Sequence, residues 1–454
     1  MANLRALPGG ARLPLLFYRA LFPVAFLCML PGLILRMFRR GNYRHQFGQR
    51  FAIYSDRSRK RLETGGWTWI HAVSVGEMVM GLKLARTLQA AEPGLRILIS
   101  TTTSTGFALA RQQIGHGSEA MELVYYPLDL PVVVRHALNV IRPAQVILVD
   151  KELWPNLVAE CYRRAIPISI VNARLSPKSE RGFLKWRRWV GPFFGMLDRV
   201  CVQEPEDLTR WQALGVREGA LYYTGSLKFD FAVPEESRAP EFRALLAALS
   251  VCESTPVLLG GSTFAGEETI LGRVLIQLRE RLPDLFLILV PRHVERTREV
   301  ETALRELGLT SVLRTELAGF QPGSRRPDCL IVNTTGELRD WYTLATVCFI
   351  GKSLTAKGGQ NPAEPVLAGR PVVFGPNMQN FGSLVRQFLA VEGAIQVQEE
   401  ADLAPAIAPL LADPARGASL AERARAVLRA HAGANLRTAE LLLGLKSNKR
   451  PVLS

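Results

Sequence analysis

A chain of 454 residues, 48% hydrophobic and 21% charged, exceeds one ordinary core and suits two α/β domains of roughly 200 residues each. That mixture excludes a disordered chain, and no short internal repeat points to a solenoid. The net charge of +15 gathers in residues 1–60, where eleven cations face one acid, Asp56. A reader of nucleic acid carries its basic surface on the folded domain, so this distribution argues against that class.

The first predicted element is an apolar segment over residues 13–38, charge-free for sixteen residues from 20 to 35. It falls short of the ~20 residues a spanning helix needs. Arg36, Arg39 and Arg40 follow, with no small-residue cleavage site, which argues against a removed signal peptide. We expect an uncleaved membrane anchor over 1–40, lying in or dipping into the cytoplasmic leaflet with its Arg cluster on anionic head groups. A spanning helix extended past Arg19 and a core helix of a soluble domain are the competing readings. The six cysteines are scattered, with no CxxC and no Cys/His pairing at metal-ligand spacing. Reduced thiols are expected, and neither metal nor cofactor is.

Beyond the anchor, apolar runs alternate with helical periodicity. Residues 67–73, 97–101, 124–126, 145–150 and 168–173 read as buried parallel strands, and a second series reads so over 257–261, 285–291, 329–333, 347–351 and 371–375. Two such series in tandem predict an α/β, GT-B-like architecture, with two Rossmann-like lobes, a central cleft and the N-terminal anchor segment. The expected divisions are an acceptor-binding domain over 41–225, a linker over 226–255, a nucleotide-sugar domain over 256–425, and a C-terminal helix and tail over 426–454.

Ligands bind outside the carboxyl ends of strands in such sheets, and the polar oddities of this chain fall there. HAVSVGE at 71–77 reads as a strand, a turn and a helix start, and puts the Glu77 carboxylate where an acceptor hydroxyl could arrive for general-base catalysis. Glu77 as a favourable acid at a helix N-terminus is the competing role. DKELWPN at 150–156 sets Asp150 and Glu152 at a strand end, suited to stabilising a cationic sugar centre or to an ion pair with Lys151. GGSTFAGEE at 260–268 is a Gly-rich turn able to cradle phosphate, and it matches neither the Walker nor the dinucleotide pattern. Arg292 offers a fork to an oxyanion or stands solvated. TTGEL at 334–338 and GKSLTAKGGQNPAE at 351–364 complete the donor side, the latter entering a helix through Asn361 and Pro362, with Glu364 one turn in. Asn361 also suits a capping role. From 176 to 199, Lys178, Arg181, Lys185, Arg187 and Arg188 interleave with Phe183, Trp186, Trp189, Phe193 and Phe194. That mixture fits a lipid surface, and single-stranded nucleic acid is the rival. The anchor favours lipid.

In order and spacing, SVGE (74–77), TTTSTG (101–106), YPLDLP (126–131), ELWPN (152–156), NARLS (172–176), TGSLKFD (224–230), LILVPRH (287–293), GEL (336–338) and GGQNPAE (358–364) resemble the 3-deoxy-D-manno-octulosonic acid (Kdo) transferases, across nearly the whole chain. The resemblance implies an inverting, metal-independent glycosyltransferase at the cytoplasmic side of the inner membrane, with CMP-Kdo as donor and a lipid IVA-like lipid A precursor as acceptor. It makes Glu77 the proton acceptor and Lys228 a stabiliser of the transition state, beside Asp150 and Glu152. Pro291, Arg292, Thr335, Gly336, Glu337, Asn361, Pro362, Ala363 and Glu364 fall on its CMP-binding segments. Three departures stand out: Asp150-Lys151 where the family commonly has Glu-Thr, Gln360 where it often has His, and Lys352 where a Gly is often found. The alternatives are another GT-B sugar-nucleotide transferase acting on a membrane lipid and a non-catalytic membrane-associated homologue.

Overall fold

The computed structural model describes residues 4–40, 46–115, 120–230, 238–320 and 326–447. Residues 1–3 of the expected anchor, 231–237 of the expected linker and 448–454 of the expected tail lie outside them. The chain forms two compact units, Met1–Asp230 with His431–Ser454, and Phe231–Ala430.

The first unit holds seven parallel strands: β1 (Trp67–His71), β2 (Ile97–Thr101), β3 (Met121–Tyr125), β4 (Pro143–Val149), β5 (Ile168–Ala173), β6 (Arg199–Val202) and β7 (Leu221–Tyr223). Their order is β3-β2-β1-β4-β5-β6-β7. Every residue of β1, β2 and β5 is buried, because helices cover both faces of a parallel sheet. That is why these strands read as unbroken apolar runs. Chain direction along the sheet reverses between β1 and β4, the switch point at which a doubly wound sheet opens a crevice.

The second unit repeats the plan with β8 (Val257–Thr263), β9 (Phe286–Pro291), β10 (Ser311–Leu313), β11 (Cys329–Ile331), β12 (Val347–Ile350), β13 (Val372–Phe374) and β14 (Ile395–Gln396), in the order β10-β11-β9-β8-β12-β13-β14. Its switch point lies between β8 and β12. The stretch 226–255 carries a helix, Ala239–Ala248, whose Phe242 packs edge-on against Trp341 at 4.7 Å.

The helix Gly9–Arg40 opens the chain, and Gly9–Cys28 is long and apolar enough to cross a membrane by length and composition. Ala11, Pro14 and Leu15 are buried against the first unit, and Arg19 Nε donates to Asn156 Oδ1 at 2.7 Å. Leu13, Leu16, Phe17, Leu21, Val24 and Leu27 expose half or more of their surface. The two sets alternate at helical spacing, so one stripe docks on the protein and the other faces outward.

Candidate active site

In the first unit the switch-point strands carry the acids. After β1 the chain turns into the helix Val75–Ala91, with Ser74 as N-cap. Ser74 Oγ accepts the Glu77 N–H at 3.3 Å, while Glu77 accepts from the Ser74 hydroxyl at 2.9 Å and from the Val73 N–H at 2.8 Å. This is a variant of the capping box, S-x-x-E in the sequence, in which the Glu reaches the Val73 N–H one residue before the N-cap. The TTTSTG segment braces it, since the Thr101 and Thr103 hydroxyls donate to the Val73 carbonyl at 3.3 and 3.0 Å. Glu77 therefore has the cap geometry, and its two oxygens retain further lone pairs for a hydroxyl.

After β4, Asp150 takes a left-handed backbone at φ 73°, a conformation that Asp tolerates better than most L-residues. Burial raises the Asp150 carboxyl above its usual range; Arg174 opposes this and Glu77 adds to it. Glu152 is pushed up to about 7, first by burial, then by the charges of Glu77 and Asp150, with Lys151 opposing. Three carboxyl groups thus share one field. The Lys228 ammonium, on a side chain that stays exposed, is lowered by partial desolvation and then by the Arg174 charge. Arg174, which sequence reading passed over inside NARLS, belongs to this group through its field on both Asp150 and Lys228.

The Lys228 turn is held by β5. Asn172, at φ 54°, accepts the Leu227 N–H at 3.0 Å and the Ser226 hydroxyl at 3.4 Å through Oδ1. Two other motifs prove to be structural partners. Asp129 of YPLDLP accepts the N–H groups of Asn156 and Leu157, each at 3.0 Å, and so caps the helix Pro155–Arg163. Among the interleaved residues of 176–199, Phe193 and Phe194 join the core, whereas Leu184 and Trp186 are exposed and Trp189 packs on Phe17 at 4.9 Å.

In the second unit, Pro291 ends β9 and is buried, and Arg292 beside it is exposed, its N–H on the Thr263 carbonyl at 3.0 Å. Thr335 and Gly336 are exposed on a turn where Gly336 has φ 85°. Glu337 is engaged from three sides: by the Arg314 fork at 3.0 and 3.2 Å, the Thr334 hydroxyl at 2.7 Å and Trp341 Nε1 at 3.4 Å. Asn361 Oδ1 accepts the Ala363 N–H at 3.0 Å, and its amide donates to Glu364 at 3.0 Å. The capping role open to Asn361 is thus realised. Pro362 and Ala363 are buried at the entry to the short helix Ala363–Leu367.

Sequence reading missed a keystone here. Glu267, fully buried, accepts the N–H groups of Phe264, Lys352, Ser353 and Leu354 at 2.7 to 3.0 Å. Amides that could have faced a phosphate, one of them from the Gly-rich turn, are taken by this side chain. Lys352 has φ 57°, so a lysine occupies a left-handed position, with its ammonium 4.9 Å from the centre of the Phe264 ring.

The family model for 3-deoxy-D-manno-octulosonic-acid transferase (kdotransferase) matches residues 45–231. A 3-deoxy-D-manno-octulosonic acid transferase of Bordetella pertussis is 34% identical over 82% of this chain and 86% of its own length. One from Haemophilus influenzae is 29% identical over 94% and 97%. Among solved structures, a putative UDP-N-acetylglucosamine 2-epimerase from Listeria monocytogenes shares the fold, with a TM-score of 0.51 at 11% identity, over 85% of this chain and 98% of that one. The chain therefore belongs to the 3-deoxy-D-manno-octulosonic acid transferase family, and it is a glycosyltransferase built from two Rossmann-like units in the GT-B-like manner.

Proposed function

We propose that this protein transfers Kdo from CMP-Kdo to a lipid IVA-like precursor, with inversion, at the cytoplasmic face of the inner membrane. The observation that carries the reading is the cluster of Glu77, Asp150 and Glu152 at the first unit's switch point, with the Arg174 charge acting on both Asp150 and Lys228, in a chain of this family. Glu77 removes the proton from an acceptor hydroxyl. The oxygen then bonds to the anomeric carbon while the bond from that carbon to the phosphate oxygen breaks, and CMP leaves with the bonding pair. Asp150 and Glu152 favour positive charge at the sugar centre, and Lys228 offsets the negative charge of donor and leaving group. Arg292, Thr335, Gly336, Asn361 and Glu364 are the proposed CMP contacts, with Glu337 holding their turn in shape. The chemistry needs no metal ion.

The test is mass analysis of lipid IVA incubated with CMP-Kdo and the full-length protein. A Kdo-bearing lipid and free CMP are expected, with loss of roughly 10²-fold or more in Glu77→Ala. One observation favours a second reading: the hydrogen bonds at the helix entry give Glu77 a structural task of its own. If Glu77→Ala loses only as much activity as its lowered stability explains, that reading replaces the first.

A further inference from the structure

The helix Ala434–Ser447 closes the first unit and packs on the Glu77 helix, Val75–Ala91. Leu227, Ala434, Ala439 and Leu442 share a buried cluster with Met78 and Leu82. The same returning segment grips the backbone of 224–230. Asp230 accepts the N–H groups of Gly433 and Asn435 at 2.8 and 2.7 Å, and the Asn435 amide at 2.8 Å. The Arg437 guanidinium donates to the Thr224 carbonyl at 2.7 and 3.2 Å. In the middle of the grip, the Ser226 N–H donates to His431 Nδ1 at 3.2 Å.

That last bond specifies a protonation state. An acceptor at Nδ1 requires the neutral imidazole with its proton on Nε2. His431 is 1% exposed. Its Nε2 is 3.9 Å from Glu204, and the Phe229 ring lies 5.7 Å away. Burial and the Arg437 charge hold the imidazole below its ordinary pKa, with Asp230 acting the other way.

We propose that neutral His431 is a positioning residue for sugar transfer: with Asn172 on the opposite side, it fixes the Ser226–Leu227 backbone and thereby the stance of Lys228. The proposal rests on the reading of Lys228 as the cation that acts in transfer. A charge displaced by about 1 Å from the reacting groups costs up to ~10²-fold in rate, so a single backbone bond beside Lys228 has leverage on kcat.

The experiment compares His431→Asn, whose Oδ1 stands where Nδ1 stood, with His431→Leu, which fills the apolar space without an acceptor. Each is assayed with CMP-Kdo and lipid IVA, with Tm measured in parallel. Positioning predicts that His431→Leu loses kcat about tenfold or more at a little-changed KM for CMP-Kdo, whereas His431→Asn stays within about threefold of wild type. The leucine variant leaves the buried Ser226 N–H without an acceptor, so kcat is read well below both Tm values, where both variants are folded. Equal kcat in the two variants there overturns the proposal. Should His431→Leu not fold, His431→Gln, with its amide oxygen one bond further out, takes its place in the comparison. Lys228→Met separates the two levels. If it keeps wild-type kcat, the reading of Lys228 falls and the positioning role with it. If it is inactive while the His431 variants match each other, the positioning role falls alone.

Discussion

Glu152 owes its raised pKa to position more than to type. It leaves a buried strand end beside Glu77 and Asp150, so its proton is held more tightly in the fold than in the unfolded chain. The sign of the linkage follows. This contribution to stability is fully present below pH ~4.5 and is lost as pH rises to about 7. We expect Glu152→Gln to flatten that dependence and to gain roughly 1–3 kcal/mol on wild type at pH 8 relative to pH 5. Urea midpoints at the two pH values measure it, and an unchanged difference would exclude the shift. Glu77 is the opposite case, legible in sequence twice over, as an acid in the first turn of a helix and as part of the family motif SVGE. What a string of letters could not decide is whether one carboxylate does both, since that depends on which lone pairs the cap leaves open.

Loops between elements depend on side chains that turn their amides inward. Glu267 stands in for a ligand of four backbone N–H groups, so removing it leaves buried donors unmade at ~1–3 kcal/mol each. Glu267→Ala should lower stability by at least ~3 kcal/mol, and Glu267→Gln by less, read by chemical denaturation. Gly351 has an equally specific cause. A Cβ there would lie 2.1 Å from the Ser262 carbonyl oxygen, so Gly351→Ala should be among the most damaging single-methyl changes, failing to accumulate as soluble protein or losing on the order of 3 kcal/mol or more. Normal expression and an unshifted midpoint would count against this packing. The long strands were readable because burial on both faces makes them continuous apolar runs. The short β6, β7, β10 and β14, of two to four residues, carry too few positions for any period to register.

Across the whole molecule, one plan is used twice. In each unit a left-handed non-glycine residue follows the strand beyond the switch point, Asp150 after β4 and Lys352 after β12. Both positions are among the three motif departures that stand out in the sequence, and such backbone strain gathers at functional turns. The opening helix supplies the other whole-molecule feature. Its outward stripe, with Leu184, Trp186 and the exposed cations Lys178, Arg187 and Arg188 nearby in the chain segment that meets Phe17 through Trp189, has the chemistry of a membrane interface. Replacing Leu13, Leu16 and Leu21 by Ser should cut the partition coefficient onto anionic phospholipid vesicles, read by co-sedimentation, by about a thousandfold or more while leaving Tm within a few degrees, since each leucine buried in the membrane contributes ~1.5–3 kcal/mol to partitioning. Leu15→Ser, on the buried stripe, should do the reverse, and equal binding by the triple variant would exclude the stripe as the contact. The sequence by itself determined the family, the two-unit α/β plan, the basic apolar N-terminus and the strand-end acids, because these are written in local period and ordered motifs. Only the tertiary structure decided that Glu267 fills its own amide cradle, that Arg174 joins Lys228, and that the last helix returns to hold the Lys228 turn. Those couplings reach between residues 205 positions apart, and chain period carries no record of them.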